Sequence, residues 1–164
     1  MANWCYNYVT CAGSAEDIAR LKQALLDGRE HARVHNEATD LGVIIEEGCF
    51  FDIEIGDEQS GKLQFSYESK WSPNLLDLAQ VCRMHNLSAV SEYNECGMRI
   101  YGKATIDAEG NIDDDEVTAD FLDLLEYNEE TGCYECDGIE YETEGDFIEE
   151  KYAEWKESQL KTNI

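Results

Sequence analysis

The sequence predicts an α+β fold built on a split βαβ sheet. Three observations lead there. Residues 3–11 (NWCYNYVTC) and 98–106 (MRIYGKATI) alternate with the period of two that a half-buried strand requires. Ile18, Leu21 and Leu25, and later Leu75, Leu78, Val81 and Cys82, recur at helical spacing instead. The segments follow one another as strand, helix, strand, strand, helix, strand, which is the ferredoxin-like order. That name describes a chain path and implies no iron–sulfur cluster.

The first strand sets Cys5, Asn7, Val9 and Cys11 on one side and Trp4, Tyr6 and Tyr8 on the other. Gly13 turns the chain and Ser14 is a good N-cap, with Glu16 and Asp17 in the first turn where the helix dipole favours acids. Gly28 stands where a C-terminal stop is expected. Residues 29–48 are mixed, and Leu41–Ile45 fits a short helix or a short strand equally. CFFDIEI (49–55) and KLQFSYES (62–69) read as strands joined by the turn-rich GDEQSG, and Trp71-Ser72-Pro73 ends the second. A helix carrying Leu75 to Cys82 leads to the strand SAVSEYN (88–94).

In 98–106, Met98, Ile100, Gly102, Ala104 and Ile106 face one way and Arg99, Tyr101, Lys103 and Thr105 the other. Glu109-Gly110-Asn111 then turns the chain towards a short strand near Ile112. Phe121, Leu124 and Leu125 suggest an acidic amphipathic helix, CYECDGIEYET a small hairpin about Asp137-Gly138, and Ile148, Tyr152 and Trp155 a last helix. The expected organisation is a ferredoxin-like domain over residues 1–112 and an acidic extension over 113–164 packed on that domain.

Charge is distributed unevenly. The chain of 164 residues has a net charge of -25, from 37 acidic and 12 basic side chains. Residues 107–164 hold 21 of the acids and 3 of the bases. Gripping a nucleic-acid backbone takes many Lys and Arg, so direct nucleic-acid binding is excluded as an expectation. No apolar run reaches the roughly 20 residues of a membrane helix, the N-terminal stretch lacks the pattern of a secretory signal, and a cytoplasmic location is expected. The seven cysteines have no framework spacing and read as reduced thiols.

Several short motifs resemble the YubB-like proteins of phages and plasmids, which carry a ferredoxin-like domain. Asn3, Trp4, Cys5 and Asn7 match the opening Asn-Trp-Cys-x-Asn strand, and Gly13 the glycine before the first helix. Trp71, Ser72 and Pro73 match a Trp-Ser-Pro-Pro strand end that is broken here at Asn74. Glu95, Gly97 and Gly102 match a Glu-x-Gly and the glycine of the following strand. The resemblance covers roughly residues 1–112. It implies a mobile-element setting, and it transfers no catalytic residues because the family's own role is unsettled.

The candidate sites each have a plain structural alternative. TIDAEGNIDDDE (105–116) places Asp107, Glu109, Asp113 and Glu116 as a calcium loop would, but Thr105 stands where the first carboxylate belongs and a strand enters where a helix should. It reads as a turn. Cys133-x-x-Cys136 is the alternative metal reading, a zinc pair that needs two further ligands. His31 and His35 could share a helix face but are interleaved with Arg29 and Arg33, as on a polar surface. Trp71, beside a chain reversal, reads as a packing anchor. No phosphate loop or supported nucleophile is present, so neither an enzyme nor a cofactor is expected.

The acidic run Asp113, Asp114, Asp115 and Glu116, with Asp120, Asp123 and Glu126 beyond it, lies on an expected turn and helix. A carboxylate-studded edge can imitate the phosphate track of DNA. The expected function is therefore that of a non-enzymatic accessory protein whose acidic surface binds a basic host protein, including one that itself binds nucleic acid.

Overall fold

A computed structural model describes residues 3–162. They form two compact units, divided between Glu116 and Val117. The first unit runs β1 (Trp4–Ala12), α1 (Ala15–His35), β2 (Phe51–Gln59), β3 (Lys62–Lys70), α2 (Leu75–His85) and β4 (Ser88–Glu95), then β5 (Ile100–Ile106) and β6 (Ile112–Glu116). Its sheet has the order β2-β3-β1-β4-β5-β6 with all neighbours antiparallel. Because β1 lies between β3 and β4, each helical crossover skips over one strand, and the fold is α+β and ferredoxin-like. β5 and β6 extend that core by two hairpins.

Alternation decides which face is buried. Cys5, Asn7, Val9 and Cys11 of β1 are buried, while Tyr6 and Tyr8 between them are exposed. Val9 and Cys11 join Leu63 and Phe65 of β3, Ile106 of β5, Ile18, Leu21 and Leu25 of α1, and Leu78, Val81 and Cys82 of α2 in one core, while Cys5 packs with Leu75, Tyr93 and Ala104 in a second cluster. Both helices thus cover the same face of the sheet.

The start of α1 is as expected: the Ser14 hydroxyl accepts a hydrogen bond from the Asp17 amide (3.1 Å). Its end is not. The helix passes through Gly28 to His35 and stops at Asn36, in the left-handed region at φ 54°. Gly28 is there for contact, since a Cβ would stand 2.8 Å from Leu41 Cδ2 and 3.1 Å from Thr39. The segment after α1 is neither helix nor strand at Leu41–Ile45. Thr39 and Phe50 exchange backbone hydrogen bonds (3.1 and 2.9 Å), and Leu41 is buried against α1.

The loop is then fastened to α2. The buried Asp77 carboxylate accepts the amides of Glu46, Glu47 and Gly48 at 2.7–2.9 Å, while the Glu47 carboxylate accepts the Leu76 amide at 2.8 Å. Each segment supplies the acceptor for the other's orphan donors, including those of a helix N-terminus.

Met98 and Arg99 lie in the β4–β5 turn and not in a strand, because the buried Glu95 carboxylate accepts the amides of Gly97 (2.9 Å) and Met98 (2.6 Å). Trp71 is 49% exposed with φ 73°, so it terminates β3 without anchoring the core.

In the second unit, α3 (Ala119–Leu122) is a single turn. It is followed by a three-stranded sheet of β7 (Glu126–Asn128), β8 (Cys133–Cys136) and β9 (Ile139–Tyr141), and by α4 (Glu144–Thr162). The expected longer helix through Leu125 gives way because Tyr127 and Asn128 pair with Tyr134 and Cys133. The Asp137-Gly138 hairpin is as expected, with both residues at positive φ (51° and 78°) as a tight hairpin turn demands. Phe121, Tyr141, Phe147, Tyr152 and Trp155 form an aromatic core, with Phe121 stacked on Phe147 at 4.6 Å. Among the described residues no helix is long and apolar enough to cross a membrane.

Candidate interaction surface

The acidic run belongs to the sheet. Asp113, Asp114, Asp115 and Glu116 lie in β6, opposite Thr105, Ala104, Lys103 and Gly102 of β5. They are not on a turn, as the sequence suggested, and β6 is an outer strand of the sheet. A strand sends successive side chains to opposite faces, so the four acids divide into two pairs. Asp114 shares its face with Tyr93, whose hydroxyl donates to Asp114 Oδ1 at 2.8 Å. Tyr93 reaches it by lying across Gly102, where a Cβ would stand 2.1 Å from the phenolic oxygen. Burial and the Asp114 carboxylate both push the Tyr93 hydroxyl well above its ordinary value, so it stays a donor. Asp113 and Asp115 point to the face that α1 and α2 leave uncovered. Of the remaining predicted residues, Asp120 is in α3, Asp123 caps its end and Glu126 opens β7, all in the second unit.

The turn between β5 and β6 is held from within. The Asp107 carboxylate accepts the amides of Glu109 (3.0 Å) and Asn111 (2.8 Å) and the Asn111 side chain (2.7 Å). The hydrogen bonds from Asn111, side chain first, hold its carboxyl below the usual carboxylate value. The stretch is a hairpin turn.

Cys133 and Cys136 are free thiols three residues apart on one strand, a spacing that directs them to opposite faces. Burial and the charge of Asp137 push the Cys136 thiol up. The His31 and His35 rings sit 4.5 Å apart on the exposed last turns of α1. Among the described residues no group of three or more His, Cys, Asp or Glu is arranged to hold a metal ion.

Motif residues at the first, third and fourth strands gather at one end of the sheet. A Cβ on Gly97 would stand 2.7 Å from Asn3 Nδ2, and the Trp71 amide donates to the Asn3 carbonyl (2.9 Å). Asn7 donates to Ser69 Oγ (2.9 Å), which donates to the Ser72 carbonyl (2.7 Å). Tyr67 donates to Asn74 Oδ1 (2.7 Å), and Asn74 donates to the Gly48 carbonyl (2.8 Å). Asn74, the position at which the resemblance breaks, thus adds a further tie between the start of α2 and the loop before β2. Cys5 is fully buried against Leu75, Tyr93 and Ala104, and that burial pushes its thiol up to about 12, as suits a packing residue. The cluster is architectural.

The uncovered face of the sheet carries features the sequence reading did not single out. Along one cross-strand row stand Asp115, Lys103, Glu92, Tyr8, Ser66 and Glu54, read across β6, β5, β4, β1, β3 and β2. Two shallow depressions meet there. One of about 250 Å³ is lined by Tyr6, Tyr8, Asp52, Glu54, Ser66 and Glu68 among others. The second, about 590 Å³, shares Tyr8, Glu54 and Ser66 and adds Thr10, Gln64 and Glu92. No Lys or Arg lines either of them. Asp52 sits in a bulge between Phe51 and Glu54 at φ 43°, a conformation that L residues seldom adopt. Burial, and then the negative charge of Asp52, push the Glu68 carboxyl above its ordinary value. Beside the depressions, Lys70 Nζ stands 5.0 Å from the Phe51 ring and 5.9 Å from the Trp4 ring.

Residues 50–124 match the family model of a ferredoxin-like domain in Api92-like protein, in agreement with the sheet order. No curated protein and no solved structure matches the chain.

Proposed function

We propose that the protein acts by binding and not by catalysis, as an accessory protein of a phage, plasmid or integrated element whose acidic surface engages a basic host protein. The observation that carries this reading is the charge imbalance. If each of the 12 Lys and Arg neutralised one carboxylate, the net charge of -25 would still face solvent. A field of that size attracts basic partners and accelerates their encounter. The resemblance to YubB-like proteins supports the mobile-element setting, and a host protein that grips nucleic acid is a fitting target because its binding surface is already basic.

The test is capture from a host lysate at about 50 and 300 mM salt, across which surface electrostatics weaken steeply. Wild type is run beside a variant carrying Asp113→Asn, Asp115→Asn and Glu116→Gln. Asp114 is left intact because it holds Tyr93. A single basic protein retained by wild type at low salt, and lost in the variant and at high salt, supports the reading. Identical capture by both proteins overturns the role of β6.

A further inference from the structure

The two depressions on the uncovered sheet face form one continuous track beside β1, with Tyr6, Tyr8 and Thr10 along it. At about 3.4 Å per residue those positions span roughly 13 Å, the length of three to four extended residues. Tyr6 and Tyr8 are 44% and 54% exposed, and the carboxylates of Asp52, Glu54, Glu68 and Glu92 line the same track. Lone exposed aromatics are ordinary on a protein surface. Two that stand two residues apart on one strand, beside Asp52, Glu54 and Glu68, form a surface suited to a cation, while the fourth carboxylate, Glu92, already accepts from Lys103 Nζ at 2.7 Å.

We propose that this track docks an extended arginine-bearing segment of the basic partner, the guanidinium groups lying on the Tyr6 and Tyr8 rings and bonding to Glu54 and Glu68. The inference rests on the basic-partner reading above and moves the point of contact from the β6 edge to the sheet face. Charge complementarity selects the occupant. A cation over an aromatic face is attracted by the ring quadrupole, and a planar guanidinium can stack on the ring while its N–H groups reach carboxylates at the rim. The face already shows the principle in its own Lys70, seated against Phe51 and Trp4. Beside it, burial and then the Asp52 charge raise the Glu68 carboxyl, an effect that a bound guanidinium would oppose. Exposed aromatics on a sheet of this type could otherwise stack bases of single-stranded RNA, but four carboxylates repel the phosphates that would have to follow.

The probe is fluorescein-labelled octa-arginine, with octalysine and a uridine octanucleotide as comparators, titrated against the full chain by anisotropy. The expected order is octa-arginine tighter than octalysine, and no binding of the oligonucleotide. A double Tyr6→Leu, Tyr8→Leu variant, which keeps every charge, should weaken octa-arginine at least tenfold and erase its advantage over octalysine. The β6 triple variant should weaken both peptides alike. Wild-type NMR titration supplies a readout that needs no variant: shifts should concentrate in β1, β2 and β3. Unchanged binding by the tyrosine variant, or shifts confined to β6, overturns the track while leaving the acidic-edge reading intact. Oligonucleotide binding overturns the choice of occupant. Failure of wild type to bind either peptide overturns both readings.

Discussion

On the face of the sheet turned towards α1 and α2, β1 places Cys5, Asn7, Val9 and Cys11, none more than 2% exposed. On the other face the same strand places Tyr6 and Tyr8, about half exposed. Adjacent residues of one strand therefore answer to different constraints. The covered face is crowded, and several of its polar groups have dedicated partners: Asn7 Nδ2 with Ser69, Tyr67 with Asn74, Asp77 with three loop amides. The open face is sparse, bulky and acidic, with like charges side by side at Asp52 and Glu68. Packing explains the first face and gives no reason for the second, which is why function is sought there.

The sharpest way to break this contrast is to damage each face and measure both stability and peptide binding. Leu78→Ala, at a side chain with no exposed surface, should cost roughly 2–5 kcal/mol in urea denaturation, with octa-arginine affinity unchanged for the folded fraction. Asp77→Ala strands three backbone donors and should cost on the order of 3 kcal/mol, only partly recovered by Asp77→Asn, whose NH2 cannot accept from an amide. Gly102→Ala forces the Tyr93 ring aside and should cost about 1–3 kcal/mol, with loss of the Tyr93–Asp114 bond visible in the tyrosine's ring shifts.

Acid provides a gentler probe of the covered face. His85 is buried with neither ring nitrogen bonded, and burial, then the nearby Arg20, hold its pKa below the ordinary 6.5. The unfolded chain therefore takes up this proton first as the pH falls below about 6.5, and stability drops from there until the folded form also protonates. Replacing His85 with Leu should flatten the slope of unfolding free energy between pH 6.5 and 5, whereas an unchanged slope would assign it to other groups. The smallest stability effect belongs to the open face. Tyr8→Ser should move the unfolding free energy by no more than about 0.5 kcal/mol, while its effect on octa-arginine is plain. A large stability loss there would return Tyr8 to the architecture.

How much of this was legible depended on the range of the interaction. The order of the first six elements, the Ser14 cap and the Asp137-Gly138 hairpin follow from local patterns and are present. Gly28 looked like a helix stop because glycine serves both as terminator and as a site of close approach, and only the position of Leu41 and Thr39 tells them apart. Asp113–Glu116 looked like a turn because acids are poor strand formers, and pairing with β5 overrides that preference. Asp77 drew no reading from the sequence, since its amide partners are about thirty residues away. The candidate track was half visible: alternation placed Tyr6 and Tyr8 on a common face, but the carboxylates around them come from β2, β3 and β4, and the bulge at Asp52 leaves no mark in the sequence.

β6 has one more consequence, for the solubility of the molecule. An outer strand offers its unpaired backbone groups to any other strand, and proteins guard such edges with charge. Here four consecutive acids occupy the strand, so two copies meeting edge to edge bring like charges into register. That guard holds only while the surface is ionised. Near the isoelectric pH of about 4.1 the whole-molecule repulsion vanishes, and the guard on the edge is withdrawn. Lowering the pH towards that value should therefore promote association between copies before unfolding, seen as a rise in light scattering that precedes any loss of ellipticity.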